Sequence, residues 1–123
     1  MTEQMPQPSP QLYTARYSAE QIPGCVVLTA SGFHQTSGYK VFFQQSLVTI
    51  FPPQYSLWHV FPGGIVLDVI TPFTESVRFA AKGRVPEVVV WDATGRHVVR
   101  VDSASDFQVK HAIEFLEKDG PFP

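Results

Sequence analysis

Four histidines and one cysteine are the residues of this chain best suited to metal binding or nucleophilic catalysis. The histidines, His34, His59, His97 and His111, lie far apart in the sequence. The sequence lacks the ligand spacings typical of zinc sites, such as H-E-x-x-H and C-x-x-C. Cys25 opens the apolar run CVVLTA, where a buried, unreactive thiol is expected. We therefore expect no metal, no cofactor and no catalytic residue.

The motifs of common hydrolases and phosphate-binding loops are also missing. The chain has no G-x-S-x-G elbow, and Pro62-Gly63-Gly64 is followed by neither a lysine nor a helical pattern. Asp68 interrupts an apolar run, and a solvent-facing position is the simplest interpretation of it. A pocket built from His34, His59 and Asp68 stays open as an alternative, because small β domains often carry concave sites.

The most unusual segment is residues 32–44, GFHQTSGYKVFFQ. Its polar tip is rich in turn-forming residues and lies between two aromatic flanks. One interpretation is an ordinary hairpin loop over packed aromatics. The other is a loop that binds a partner, since loops on rigid scaffolds often bind and large aromatics dominate interfaces. The candidate binding residues are Phe33, His34, Thr36, Tyr39, Trp58 and Phe61.

The composition is that of one folded domain. Of the 123 residues, 44% are hydrophobic, 13% are aromatic and 16% are charged. A chain of this length forms a single core without disulfides. No apolar run approaches the roughly 18 residues that a membrane helix needs. A net charge of −2 provides no basic surface typical of nucleic-acid binding. We expect neither nucleic acid nor a membrane as a partner.

Residues 1–10 contain three prolines and are predicted to be a disordered, proline-rich tail. They lack the basic and apolar regions of a signal peptide, so we expect a cytoplasmic protein. Residues 11–123 are predicted to form the single domain.

Between residues 11 and 102 the hydrophobic pattern has a period of two, which is typical of β-strands. Turn signals such as Pro23-Gly24 separate the runs. Residues 65–70 are predicted as one of the strands, and residues 47–51 as another. The clearest unit is a hairpin in which residues 92–95, Asp-Ala-Thr-Gly, form the turn with Gly95 at positive φ.

The period changes near the C-terminus. Ser105 and Gln108 match a capping box, and an apolar stripe follows on one helical face. This pattern predicts one α-helix at about residues 105–119. The predicted fold is mainly β: an antiparallel β-sandwich or barrel of about 7–9 strands with this C-terminal helix.

Two segments resemble a known family. Residues 32–41, GFHQTSGYKV, are similar to the G-x-x-P-T-G-G-Y-x-V pattern of the PrcB C-terminal family, although Gln35 replaces its proline and Ser37 replaces the first glycine of its Gly-Gly pair. Residues 62–73, PGGIVLDVITPF, resemble its second block. That family comprises small β domains associated with a bacterial protease complex. The resemblance covers residues 32–79 and implies a protein-binding β domain. The T-x-G-Y element also resembles the loop of chagasin-like cysteine-protease inhibitors.

The sequence thus predicts a non-enzymatic protein-binding module, and the resemblance implies a protease-associated modulator. Two alternatives stay open. One is a small-ligand-binding or hydrolytic β domain with a His/Asp pocket. The other is a homo-oligomeric structural protein, because low charge leaves strand faces without solvating groups. The expected partner is another protein or a second copy of this chain.

Overall fold

The computed structural model describes residues 9–47, 51–61 and 63–103. Of these residues, 63% lie in strands and none lies in a helix, so the described ranges hold no helix that could cross a membrane. The helix predicted at residues 105–119 and most of the predicted N-terminal tail lie outside the described residues. The strands are β1 (Gln11–Leu12), β2 (Arg16–Ile22), β3 (Cys25–His34), β4 (Lys40–Gln45), β5 (Gln54–Val60), β6 (Thr71–Ala80), β7 (Glu87–Asp92) and β8 (Gly95–Ser103).

The eight strands form one sheet that curls into an open half-barrel. The strand order is β1-β5-β7-β8-β2-β3-β6, and β4 pairs with β5. The β2–β8 and β5–β7 pairs are parallel, and the other pairs are antiparallel. The edge strands β4 and β6 approach each other without a ladder of hydrogen bonds. The mainly β prediction is confirmed. The antiparallel prediction is wrong for the β2–β8 and β5–β7 pairs, which are parallel. A two-layer sandwich is not confirmed, because β8 pairs with both β7 and β2 and so joins the two halves of the sheet.

Alternation along the strands decides which side chains fill the half-barrel. Val26, Leu28 and Ala30 on β3 are fully buried, and Leu57 on β5 is buried too. Successive strand residues point to opposite faces, so every second position shares the inner face. The remaining buried core residues are Ala19, Tyr55, Val85, Val88, Val90, Val99 and Val101. The same inner faces continue to His34 on β3 and His59 on β5.

The predicted β7–β8 hairpin is confirmed, with Asp92 opposite Gly95 and Gly95 at a φ of 122°. The buried Asp92 carboxylate accepts hydrogen bonds from Tyr17 Oη at 2.6 Å, Thr94 N at 2.8 Å and Thr94 Oγ1 at 2.7 Å. His97 Nε2 lies 2.9 Å from the same carboxylate. Burial alone would raise the pKa of Asp92, but these hydrogen bonds outweigh burial and hold the pKa below its ordinary value.

The predicted strand at residues 65–70 is wrong, because the structure has an irregular loop there. The backbone of this loop forms hydrogen bonds with another loop, and none of the described strands pairs with it. Ser37 N donates to Leu67 O at 3.0 Å, and Leu67 N donates to Ser37 Oγ at 2.9 Å. A run of β-branched residues forms a strand only where a neighbouring strand takes its hydrogen bonds. The strand predicted at residues 47–51 falls partly on residues outside the described ranges.

Asp92→Asn tests whether the buried carboxylate stabilises the fold. Asparagine keeps the size of the side chain but replaces one acceptor oxygen with a donor. We expect the free energy of unfolding to fall by about 2–3 kcal/mol, because a hydrogen-bonded carboxylate is lost and a buried donor loses its acceptor. Urea unfolding measures this change. Asp102→Asn is the control, since Asp102 is exposed on β8. Equal effects of the two variants would contradict the prediction.

Candidate functional site

The candidate site lies at the end of the half-barrel where β3 and β5 end and β6 begins. Two loops meet here: residues 35–39, which we call the polar loop, and residues 63–70, which we call the aliphatic loop. The hydrogen bonds between Ser37 and Leu67 join them. We use the name rim for the two loops together with the adjoining Phe33 and Phe61.

Beneath the rim, two histidines form a direct pair. His34 is the last residue of β3 and His59 is the last but one of β5. Their side chains meet because both occupy inner-face positions. His34 Nε2 and His59 Nδ1 are 3.0 Å apart, and the planes of the two rings differ by 13°. One hydrogen bond between two imidazoles requires a donor on one ring and an acceptor on the other.

Two tyrosines cover the histidine pair from its two sides. The Tyr13 ring lies 4.3 Å from His34 and 4.1 Å from His59, measured between ring centroids. The Tyr39 ring lies 4.2 Å from His34 and 4.9 Å from His59. All four contacts are stacked, with interplanar angles of 20° or less. We call these four residues the ring stack. It fixes both tyrosines against the ends of β3 and β5.

Backbone hydrogen bonds place Tyr13, which lies between β1 and β2. Tyr13 N donates to Leu57 O at 3.1 Å, and Ala93 N donates to Tyr13 O at 2.9 Å. Its hydroxyl donates to the carbonyl of Phe33. The polar loop returns Tyr39 over the histidines with the help of Gly38, which has a φ of 90° that favours glycine. The ring stack therefore joins four separate segments of the chain.

Phe73 packs against the edge of the ring stack. Its ring centroid lies 5.0 Å from that of His34 and 5.9 Å from that of Tyr13. Gly32 faces the same ring across the β3–β6 pair. A Cβ atom added to Gly32 would lie 2.9 Å from Phe73, closer than van der Waals contact allows. The missing side chain of Gly32 thus makes room for Phe73.

The two histidines of the ring stack are neutral at neutral pH, because both have lowered pKa values. Burial lowers the pKa of His34, and the neighbouring His59 lowers it further. Burial also lowers the pKa of His59. Burial and then Tyr39 raise the pKa of the Tyr13 hydroxyl. Within residues 9–47, 51–61 and 63–103, no three His, Cys, Asp or Glu side chains are grouped to hold a metal ion. The ring stack lies beneath the rim and contacts Phe61 through Tyr39.

The candidate binding residues occupy different environments. Phe33 is 64% exposed and Phe61 is 42% exposed, and Phe61 touches Tyr39 edge-on at 5.4 Å. Tyr39 and Thr36 are half-buried. His34 is only 4% exposed, so its side chain faces the ring stack and not the solvent.

Trp58 lies away from the rim, on the outer face of β5. Its cross-strand neighbours are Leu12 on β1 and Phe42 on β4. The indole N–H is buried and has no acceptor among the described residues. The alternation of β5 thus places Trp58 and His59 on opposite faces of the strand. The aromatic residues on the two faces lie in different environments.

The proposed His/Asp pocket is only partly assembled. The structure brings His34 and His59 together, whereas Asp68 is exposed on the aliphatic loop. No hydrogen bond joins Asp68 to either histidine in the described part of the chain.

Cys25 is a free thiol and is half-buried, whereas a buried thiol is expected from the sequence. Sequence reasoning missed Tyr13 and Phe73, although the alternation of residues 73–79 already marks Phe73 as an inner-face residue.

Comparisons with known proteins find no matching family model, no similar curated protein and no similar solved structure.

Gly32→Ala tests how tightly Phe73 packs against the ring stack. The added methyl group would displace the Phe73 ring, and we expect a loss of about 1–3 kcal/mol in the free energy of unfolding. Gly83→Ala is the matched control, because a Cβ there meets no atom within 4 Å and its φ is not positive. Thermal or urea unfolding compares the two. A loss of stability no larger for Gly32→Ala than for Gly83→Ala would contradict this account.

The histidine pair predicts that acid destabilises the protein. Both folded-state pKa values lie below the ordinary value of 6.5. The unfolded chain therefore binds more protons below about pH 6.5, and stability falls as the pH decreases. We expect the urea midpoint to fall between about pH 7 and pH 5.

His59→Phe should reduce this acid dependence, because phenylalanine keeps a ring in the stack but does not titrate. Tyr39→Phe is the control. It retains both histidines and should keep the acid dependence of the parent protein. Identical pH profiles for His59→Phe and the parent would show that the pair does not cause the effect.

Proposed function

We propose that this chain is a non-enzymatic protein-binding domain that contacts its partner through the rim. The observation that carries the proposal is a group of large apolar side chains that are exposed together at one end of the half-barrel. Such patches usually mark interaction sites. Its members are Phe33, Phe61, Ile65, Leu67, Val69 and Ile70.

The structure beneath the rim supports this proposal. The ring stack holds the polar loop, and the Ser37–Leu67 hydrogen bonds hold the aliphatic loop against it. Loops that are already ordered lose less conformational entropy on binding, which favours affinity. A groove of about 690 Å³ adjoins Phe33 and is also lined by Tyr13, Arg16 and Phe73. It offers a place for a side chain of the partner.

The resemblance to the PrcB C-terminal family suggests the first partner to test. Its two segments, residues 32–41 and 62–73, contain the polar loop and the aliphatic loop. A protease or a subunit of a protease complex is therefore the first candidate, and the domain would act as a modulator.

Three further expectations stay predictions: the C-terminal helix at residues 105–119, the sandwich architecture and the cytoplasmic localisation.

Self-association is the second candidate, and it uses the same surface. The exposed aliphatic loop favours it, because two rims brought together would bury their apolar side chains against each other. Light scattering at increasing protein concentration tests for a dimer.

A small-ligand or hydrolytic site is the third candidate, favoured only by the His34–His59 pair. Tyr13 and Tyr39 cover both faces of that pair, which leaves little room for a substrate. Ester hydrolysis that is lost in His59→Phe would support this candidate over the binding domain.

Photo-crosslinking tests the proposed interface. A photoreactive amino acid at position 67 should capture a defined protein from an extract of the source cells. The same group at position 98, on the outer face of β8, should not. The captured protein is then purified and titrated with variants of this chain. We expect Phe33→Ala and Tyr39→Ala to weaken binding about tenfold or more, as loss of an interface aromatic does.

Val69→Ser and Val98→Ser form a matched pair for the same titration, since each valine is 51% exposed. Val69→Ser should weaken binding and Val98→Ser should not. If none of the rim variants affects affinity, the rim is not the binding surface. If the captured protein is this chain itself, the partner is a second copy.

A further inference from the structure

A second surface lies at the opposite end of β6, where the sheet stays open between the ends of β4 and β6. It is a groove of about 800 Å³, a size typical of small-molecule sites. Arg78, Lys82 and Arg84 line it together with Phe51 and Phe79, and none of its lining residues in the described ranges is acidic. We call this surface the basic groove.

Hydrogen bonds hold the segment between β6 and β7, which carries two of these cations, in a fixed position. Gln21 Nε2 donates to Gly83 O at 2.7 Å, and Gln21 Oε1 accepts from Val85 N at 2.9 Å. Arg84 Nη2 donates to Val101 O at 2.8 Å, which leaves other guanidinium N–H groups available to a ligand. The groove is therefore formed before any ligand binds, which lowers the entropic cost of binding.

The charge of the basic groove is opposite to the net charge of −2 of the whole chain. In the part of the chain that the structure describes, no acidic side chain forms a salt bridge with the three cations. Clefts lined by charges of one sign attract counter-ions. Two of the cations are arginines, whose planar guanidinium groups bind carboxylates and phosphates through two hydrogen bonds.

Apolar surface accompanies the charge in the same groove. Phe51 is 66% exposed, and Phe79 on β6 is half-buried. An exposed aromatic ring beside three cations suits a ligand that is charged at one end and apolar at the other.

We propose that the basic groove binds a small organic anion, in which a carboxylate or a phosphate is attached to an aromatic or short aliphatic body. The anionic group contacts Arg78, Lys82 and Arg84, and the apolar body contacts Phe51 and Phe79. The ten residues of β6 span about 33 Å, and most of that length lies between this site and the rim. The proposal is therefore independent of the protein-binding function.

NMR titration of the full chain tests the site with four probes: phenyl phosphate, phenylacetate, benzyl alcohol and inorganic phosphate. We expect at least one of the two aromatic anions to shift the amide resonances of Lys82 and Gly83, and not those of Ser37 and Leu67. Benzyl alcohol and inorganic phosphate should each bind about tenfold more weakly. Benzyl alcohol lacks the anionic group, and inorganic phosphate lacks the apolar body. The tighter of the two aromatic anions identifies the anionic group.

Charge-reversal variants show whether the cations bind the probe. Arg78→Glu combined with Lys82→Glu should weaken binding about tenfold or more. Arg96→Glu combined with Arg100→Glu makes the same change in net charge at exposed positions of β8 and should change affinity less than about twofold. All four side chains are exposed, and urea unfolding confirms that both double variants fold.

Three results would overturn the proposal. The first is that neither aromatic anion binds up to about 10 mM. The second is that benzyl alcohol or inorganic phosphate binds as tightly as the tighter aromatic anion. The third is an equal loss of affinity in the two double variants, which would indicate a general effect of net charge.

Discussion

The interior of an open sheet is covered by side chains where no strand closes it. At one end of this half-barrel, the contact between His34 and His59 covers the interior. Their hydrogen bond of 3.0 Å joins β3 to β5, which lie far apart in the strand order. Tyr13 and Tyr39 then cover the pair and bring the β1–β2 link and the polar loop to the same place. The positions of the loops above therefore depend on one contact between two neutral imidazoles.

This dependence explains why apolar side chains at the rim remain exposed in an ordered structure. Their loops do not need a core of their own, because the ring stack and the Ser37–Leu67 hydrogen bonds order them from below. The basic groove has a different origin. It forms where β4 and β6 fail to pair, and Gln21 holds its border. One edge strand, β6, thus connects an apolar surface to a cationic one.

Much of the fold follows from local sequence patterns. The period of two marks the inner faces of β3 and β5 and places both histidines on them, and Asp92 and Gly95 are recognisable as turn residues. The contact between His34 and His59 is not predictable, because it depends on which strands become neighbours. Tyr17 reaches Asp92 across 75 positions of sequence, a distance at which no local pattern is informative. Residues 65–70 have the composition of a strand, but none of the strands in the described ranges pairs with them.

The position of β8 has a consequence for how the chain folds. This last described strand pairs with its sequence neighbour β7 and also, in parallel, with β2. The second pairing joins residues about eighty positions apart, such as Ala19 and Val101. Long-range pairing of this kind slows folding, because the chain entropy is lost before the contacts form. On the ribosome, the β2–β3 hairpin emerges early, and one side of β2 lacks its strand partner until residue 103 has been made. The half-barrel is therefore completed only after residue 103 has been made, and the exposed edge of β2 is the segment most open to mispairing before then.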